Sequence, residues 1–101
     1  MKTLTLPTVH LNGTAPERLL EDLSGASRAL RLAMRALDET QPNARDYYIQ
    51  GQDAFGQAVR EYQARARKLR DVSDELEALR EAVQDQADAR MRRNPRRAGR
   101  R

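Results

Sequence analysis

The sequence predicts an all-α protein: an antiparallel helical hairpin with an extended N-terminal arm, assembling into a helical-bundle homo-oligomer. Three observations predict it. Apolar residues recur at three- and four-residue spacing through two long stretches, and a polar segment bearing Pro42, Asn43 and Gly51 separates them. Bulky core residues are scarce for a chain of 101 residues, with one Phe, three Tyr and no Trp. A domain this small buries a modest share of its surface even when well supplied with aromatics, so the missing core is expected from further copies, as a dimer or a higher oligomer.

Residues 1–13 read as the arm. Leu4 and Leu6, then Val9 and Leu11, alternate with polar residues around Pro7, a pattern for an extended segment that lies as an edge strand or drapes over helices. Thr14-Ala15-Pro16-Glu17 signals a helix start: Thr14 as cap, Pro16 in the first turn where its missing N–H is no loss, and Glu17 at the reciprocal capping-box position. The first helix is expected over about residues 15–40. Its stripe runs through Leu19, Leu23, Ala26, Leu30, Ala33 and Leu37, widened by Leu20 and Met34. Pro42 disfavours helical geometry in the residue before it, so residues 41–52 read as a connector.

Asp53 is the expected cap of a second helix over about residues 53–90. Its apolar positions are Phe55, Ala58, Tyr62, Leu69, Val72, Leu76, Leu79 and Val83, with Arg65 interrupting the stripe and Ala66 beside it. The hairpin body thus spans residues 14–89. Residues 90–101 form an arginine-rich tail in which Pro95 and Gly99 stop the helix. At 1.5 Å per residue the helices are roughly 39 and 57 Å long. The second therefore outruns the first, leaving Leu79, Val83 and Met91 to be covered by the arm or by another subunit.

The formal net charge of +4 is unevenly divided. Arg90, Arg92, Arg93, Arg96, Arg97, Arg100 and Arg101 carry the tail, and the body before them holds twelve basic against fifteen acidic residues. A slightly acidic body with a cationic tail points to a negatively charged partner. The absence of cysteine removes disulfides and thiolate metal sites and fits a reducing compartment. No run approaches the roughly 20 apolar residues needed to span a bilayer, and the start lacks the order of a secretory signal, so no membrane partner is expected.

Catalysis is not expected either. One histidine, no cysteine, no glycine-rich phosphate loop and no paired ligand spacing leave no nucleophile and base, no metal site and no cofactor site. Acidic pairs such as Asp71 with Glu75 and Asp74 with Glu77 read as solvated helix faces.

Two polar stretches are candidates for binding. The first is His10-Leu11-Asn12-Gly13-Thr14, where a helix N-terminus offers N–H groups and a positive dipole end to a phosphate or carboxylate. The second runs from Pro42 to Gly51. There Arg45 can fork onto phosphate oxygens, Tyr47 and Tyr48 can stack on a base, and Asp46 can accept from a ribose hydroxyl or an amino group, with Asn43 alongside. The structural alternative is equally concrete: Thr14 caps, Asn12-Gly13 turns the chain, Arg45 pairs with Asp46 and one tyrosine plugs the core.

Both stretches resemble those of a family of small, largely uncharacterised proteins of tailed bacteriophages and prophages. The likeness runs from about Thr8 to Val83, over a His-Leu-Asn-Gly-Thr entry and a Pro-Asn-x-Arg-Asp-Tyr-Tyr-x-Gln-Gly connector, matched at residues 10–14 and at Pro42, Asn43, Arg45, Asp46, Tyr47, Tyr48, Gln50 and Gly51. Ala44 stands where glycine is common and Ile49 where proline is common. The resemblance implies a phage accessory protein acting in the host cytoplasm, and brings no activity with it.

Two functions are expected from these readings. One is a counter-defence sponge, a helical oligomer whose interfaces hold a nucleotide second messenger of host immunity; small helical phage proteins of that kind are similar in size and hairpin organisation. Because the two stretches lie at opposite ends of the first helix, a shared pocket requires an antiparallel dimer. The other is a virion-associated or nucleic-acid-binding protein whose tail neutralises phosphates, with affinity falling steeply in salt. Truncation after Ala89 separates them, removing binding only in the second case. A coiled-coil adaptor using Leu79 and Val83 is a third use of the same helix.

Overall fold

The computed structural model describes residues 3–93. Its elements in chain order are α1 (Pro16–Asp38), two 3-10 turns at Ala44–Asp46 and Tyr48–Gln50, and α2 (Ala54–Arg93). Among the described residues there is no strand, and the two helices pack against each other as in a hairpin. The connector is more ordered than a plain loop, since both 3-10 turns fall within it. The chain divides into two compact units, one from Met1–Ser27 and Asp74–Arg101, the other from Arg28–Ser73.

In the first unit, the carbonyl of Ala15 accepts from the N–H groups of Arg18 at 3.0 Å and Leu19 at 3.1 Å. That makes Ala15 the cap position and Pro16 the first helical residue, a correction to the capping box predicted on Thr14. The reason is Pro16 itself: its fixed φ suits the first helical position, so Thr14 is left one residue outside the helix and Glu17 moves off the box position.

The arm drapes and makes no strand. Gln86 of α2 holds it with both ends of its carboxamide: Nε2 donates to the Pro7 carbonyl at 2.8 Å, and Oε1 accepts from the Val9 N–H at 2.7 Å. The side chain thereby stands in for a peptide group of a neighbouring strand, satisfying an arm that has no ladder of its own. The arm lies in the same unit as Val83, which is fully buried, while Met91 remains 50% exposed. Of the overhanging residues, then, Val83 is covered without a second copy.

Replacing Gln86 by leucine is expected to strip the Val9 amide of its hydrogen-exchange protection and to cost about 1–3 kcal/mol, since two part-buried hydrogen bonds are lost and the arm groups that made them are left unpaired. Unchanged protection at Val9 would show that the arm is held by other contacts.

The half-buried positions of α1 in the first unit include Leu19, Leu20, Leu23 and Ser27; in the second they are Leu30, Met34 and Leu37. Ala26 and Ala33, predicted on the stripe, are exposed. Leu19 and Leu20 are both half-buried, and Met34, expected to widen the stripe, turns inward where the two alanines do not, which removes more apolar surface from water. On α2, Val72 is 45% exposed and Ser73 turns inward in its place.

The second unit is closed by polar contacts at the helix ends. Asp53 holds the predicted cap position, its carbonyl accepting from the Gln57 N–H at 3.0 Å. The last turn of α1 tightens before Pro42, with the Thr40 hydroxyl and N–H both donating to the Leu37 carbonyl at 2.7 and 2.9 Å. The Tyr62 hydroxyl donates to Asp38 at 3.0 Å, offsetting the poor placement of a carboxylate at a helix C-terminus.

Partial removal from water, and the Asp38 carboxylate that accepts its hydrogen bond, raise the Tyr62 phenol above its ordinary pKa. A raised folded-state pKa means that the contribution is complete below about pH 10, the unfolded value, and is lost as pH rises through the folded value. Tyr62→Phe is therefore expected to lower the melting temperature at neutral pH and to flatten its decline in alkali. A mutant melting curve parallel to wild type at every pH would contradict this.

Candidate functional site

The His10–Thr14 stretch lies in the first unit. A turn closes on it, the Gly13 N–H donating to the His10 carbonyl at 3.1 Å. The His10 ring packs over Gly13 so closely that a β-carbon there would stand 2.8 Å from Nε2. A side chain at position 13 would have to turn the exposed His10 ring aside.

Beside the turn is an open cleft of about 800 Å³ between the entry to α1 and the last turns of α2. Arg90 and Arg93 give it positive groups, Glu17 and Asp88 negative ones, His10 an imidazole, and Leu20 with Met91 an apolar surface. Leu11 lines it too and is 88% exposed. Of the residues predicted in this stretch, His10 and Gly13 border the cleft, whereas Asn12 and Thr14 are not among its lining residues. Glu17, Asp88 and Met91 were not foreseen as cleft residues, because the sequence alone does not show which turn of α2 meets the start of α1.

The connector stretch belongs to the second unit. Asn43 Oδ1 accepts from the Arg45 N–H at 3.1 Å, which makes Asn43 the cap of the first 3-10 turn. Tyr47 is half-buried, its ring centroid 6.4 Å from that of Phe55 at a 47° tilt. Gly51 ends the second turn at a φ of 120°, a conformation that side-chain-bearing residues rarely adopt. The half-buried Tyr47 matches the alternative in which one tyrosine packs into the core, whereas the capping role of Asn43 was not foreseen.

These fixed points present the remaining residues outward. Tyr48 is 72% and Ile49 81% exposed. Arg45 and Asp46 are exposed as well, and they form no ion pair with each other: the ion pairs among the described residues are Arg18 with Asp22 and Arg80 with Glu77. The connector thus offers an uncommitted guanidinium, a carboxylate and an aromatic face on a backbone held by a cap, a ring contact and a left-handed glycine.

The predicted tail begins one turn late. Arg90, Arg92 and Arg93 belong to the last turn of α2, where cations oppose the negative end of the helix dipole. Arg96, Arg97, Arg100 and Arg101 lie outside the described residues.

No cluster of three or more His, Asp or Glu gathers among the described residues, and no described helix is long and apolar enough to cross a membrane. No family model matches the chain, and no curated protein or solved structure matches it either.

Proposed function

We propose that this chain is a non-enzymatic accessory binding protein that acts as a homo-oligomer and sequesters a nucleotide-type anion, the behaviour of a counter-defence sponge. The observation that carries the reading is the connector: Arg45 is exposed and outside any ion pair, next to the exposed ring of Tyr48, on a backbone pinned by Asn43 and by Tyr47 against Phe55. A fork of donors for phosphate beside a stacking surface is what a nucleotide requires. With Asn43 and Tyr47 occupied structurally, recognition falls to Arg45, Asp46 and Tyr48, and the His10–Gly13 turn with its cleft is a separate contact surface in each subunit. Calorimetry against cyclic di- and trinucleotides and ADP-ribose derivatives tests the reading. Saturable heat from one of them is expected; none from any of them would overturn it.

A second reading, nucleic-acid binding through the arginines, is favoured by the three arginines closing α2. Since Arg90 and Arg93 also line the cleft, truncation after Ala89 would remove part of that cleft along with the tail. Truncation after Arg93 is the cleaner test: the sponge reading predicts unchanged nucleotide binding, and the tail reading predicts a weaker affinity for DNA or RNA with a shallower salt dependence, since four of the seven arginines are removed.

A further inference from the structure

α2 carries one line of exposed polar residues whose charge reverses partway along it. In the second unit the line is Arg60, Gln63, Arg67 and Arg70, at three- and four-residue spacing. The same spacing continues in the first unit as Asp74, Glu77, Glu81, Gln84 and Asp88. All of them are exposed, and each comes next after a buried or half-buried residue, so the line follows one flank of the inward stripe. The helix is unbroken from Ala54 to Arg93.

α1 repeats the reversal. Glu17 and Glu21, then Arg28, Arg31 and Arg35, keep the same spacing through Ser24, and these five charged residues are exposed, each next after a half-buried one. Between hairpin helices of opposite direction, one step past an inward position turns both side chains to the same side. In the second unit, therefore, the arginines of α1 join those of α2, and in the first unit glutamates join acids. None of these six arginines is in an ion pair among the described residues.

We infer that this flank is where a second copy of the chain docks, with α2 laid antiparallel to α2 about a twofold axis. The inference rests on the oligomer reading and gives that oligomer its direction and register. Charge complementarity selects the occupant, because the acidic half of the same sequence supplies what the basic half lacks. An overlay centred between Arg70 and Asp74 sets Arg70 of one copy against Asp74 of the other, Arg67 against Glu77 and Gln63 against Glu81, and the axis repeats each contact. Glu77 also holds Arg80 through one carboxylate oxygen.

The alternatives fit less well. A parallel overlay sets like charges side by side. A nucleic-acid strand that follows the line past Arg70 meets four carboxylates. Exposed charges of this kind select partner and orientation more than they add affinity, so their role is to direct the association.

Arg67 and Glu77 are ten residues, or about 15 Å, apart along one helix, so only two copies can bring them together. The test mixes full-length R67E with full-length E77R at low salt. Each alone is expected to keep its helicity by circular dichroism, since both positions are exposed. Each alone is also expected to raise the dissociation constant of the oligomer at least about tenfold, because like charges then meet at both symmetric contacts. The equimolar mixture is expected to return close to wild-type affinity, since each reversed charge faces the opposite reversal.

Wild type that sediments as a single chain would overturn both this inference and the oligomer reading. A wild-type oligomer that R67E and E77R match in affinity would overturn the docking flank alone, as would weakened variants that gain nothing on mixing. Loss of DNA binding in R67E with an unchanged oligomer would reassign the arginines to nucleic acid. If either reversal unfolds the chain, Q63C mixed with E81C decides. The chain has no cysteine of its own, and a short bis-maleimide is expected to join the two variants to each other faster than either to itself; equal rates would overturn the register.

Discussion

Replacing Val83 by aspartate is expected to cost about 3–5 kcal/mol and, in a chain with so small a core, to abolish the cooperative melting transition. Val83 is the largest side chain fully removed from solvent, and Ala58 is the only other residue counted as buried among those described. Burying the isopropyl group contributes about 1.5–3 kcal/mol, and an uncompensated carboxylate in its place adds a desolvation cost with no buried cation at hand to offset it. Loss of the arm should accompany the change, since Gln86 clamps Pro7 and Val9 less than one helical turn away. Circular dichroism melts of the variant check the first effect and amide exchange at Val9 the second. A V83D protein that melts within a few degrees of wild type would mean that α2 draws its stability from elsewhere.

Arg45→Glu is the variant with the largest expected effect on binding. It reverses the one charge on the connector suited to phosphate and leaves its supports in place, because Asn43 caps through the Arg45 backbone N–H and not through the guanidinium. The fold is therefore expected to be intact by circular dichroism. A charge-assisted fork is worth about 1.5–3 kcal/mol, and the reversed charge adds repulsion, so affinity for any nucleotide found by calorimetry should fall by at least about a hundredfold. An unchanged affinity would move the binding site off the connector, with the His10–Gly13 cleft as the next place to look.

Much of the fold was legible in the sequence because two helices with a proline-bearing connector leave strong periodic and local signals. Asp53 opens α2 as predicted, and Thr40 closes α1 before Pro42. On α1 the predicted leucines are half-buried, and only the alanines of the stripe, Ala26 and Ala33, are exposed, because Leu20 and Met34 take the neighbouring inward positions. Which edge of the stripe is covered is a tertiary quantity that spacing does not encode. The Gln86 clamp was out of reach for a related reason: α2 carries several glutamines, and nothing local distinguishes the one that meets the arm 77 and 79 residues away.

The candidate site divides along the same line. Pro42, Asn43 and Gly51 made the connector visible as a break between helices, whereas the cleft joins the α1 entry to Asp88, Arg90 and Met91 through the register of two helices, which spacing does not encode. Gly13 illustrates the difference on a single residue. Its place in a turn was readable, but its close approach to the His10 ring depends on how that turn is seated.

Sedimentation equilibrium on the full-length wild type, combined with melting at several protein concentrations, most directly tests whether the chain completes its core with another copy. A mass of at least two chains at micromolar concentration and a melting midpoint that climbs with concentration are expected, as mass action demands of a fold stabilised by association. A folded single chain, melting at the same temperature at every concentration, would contradict it.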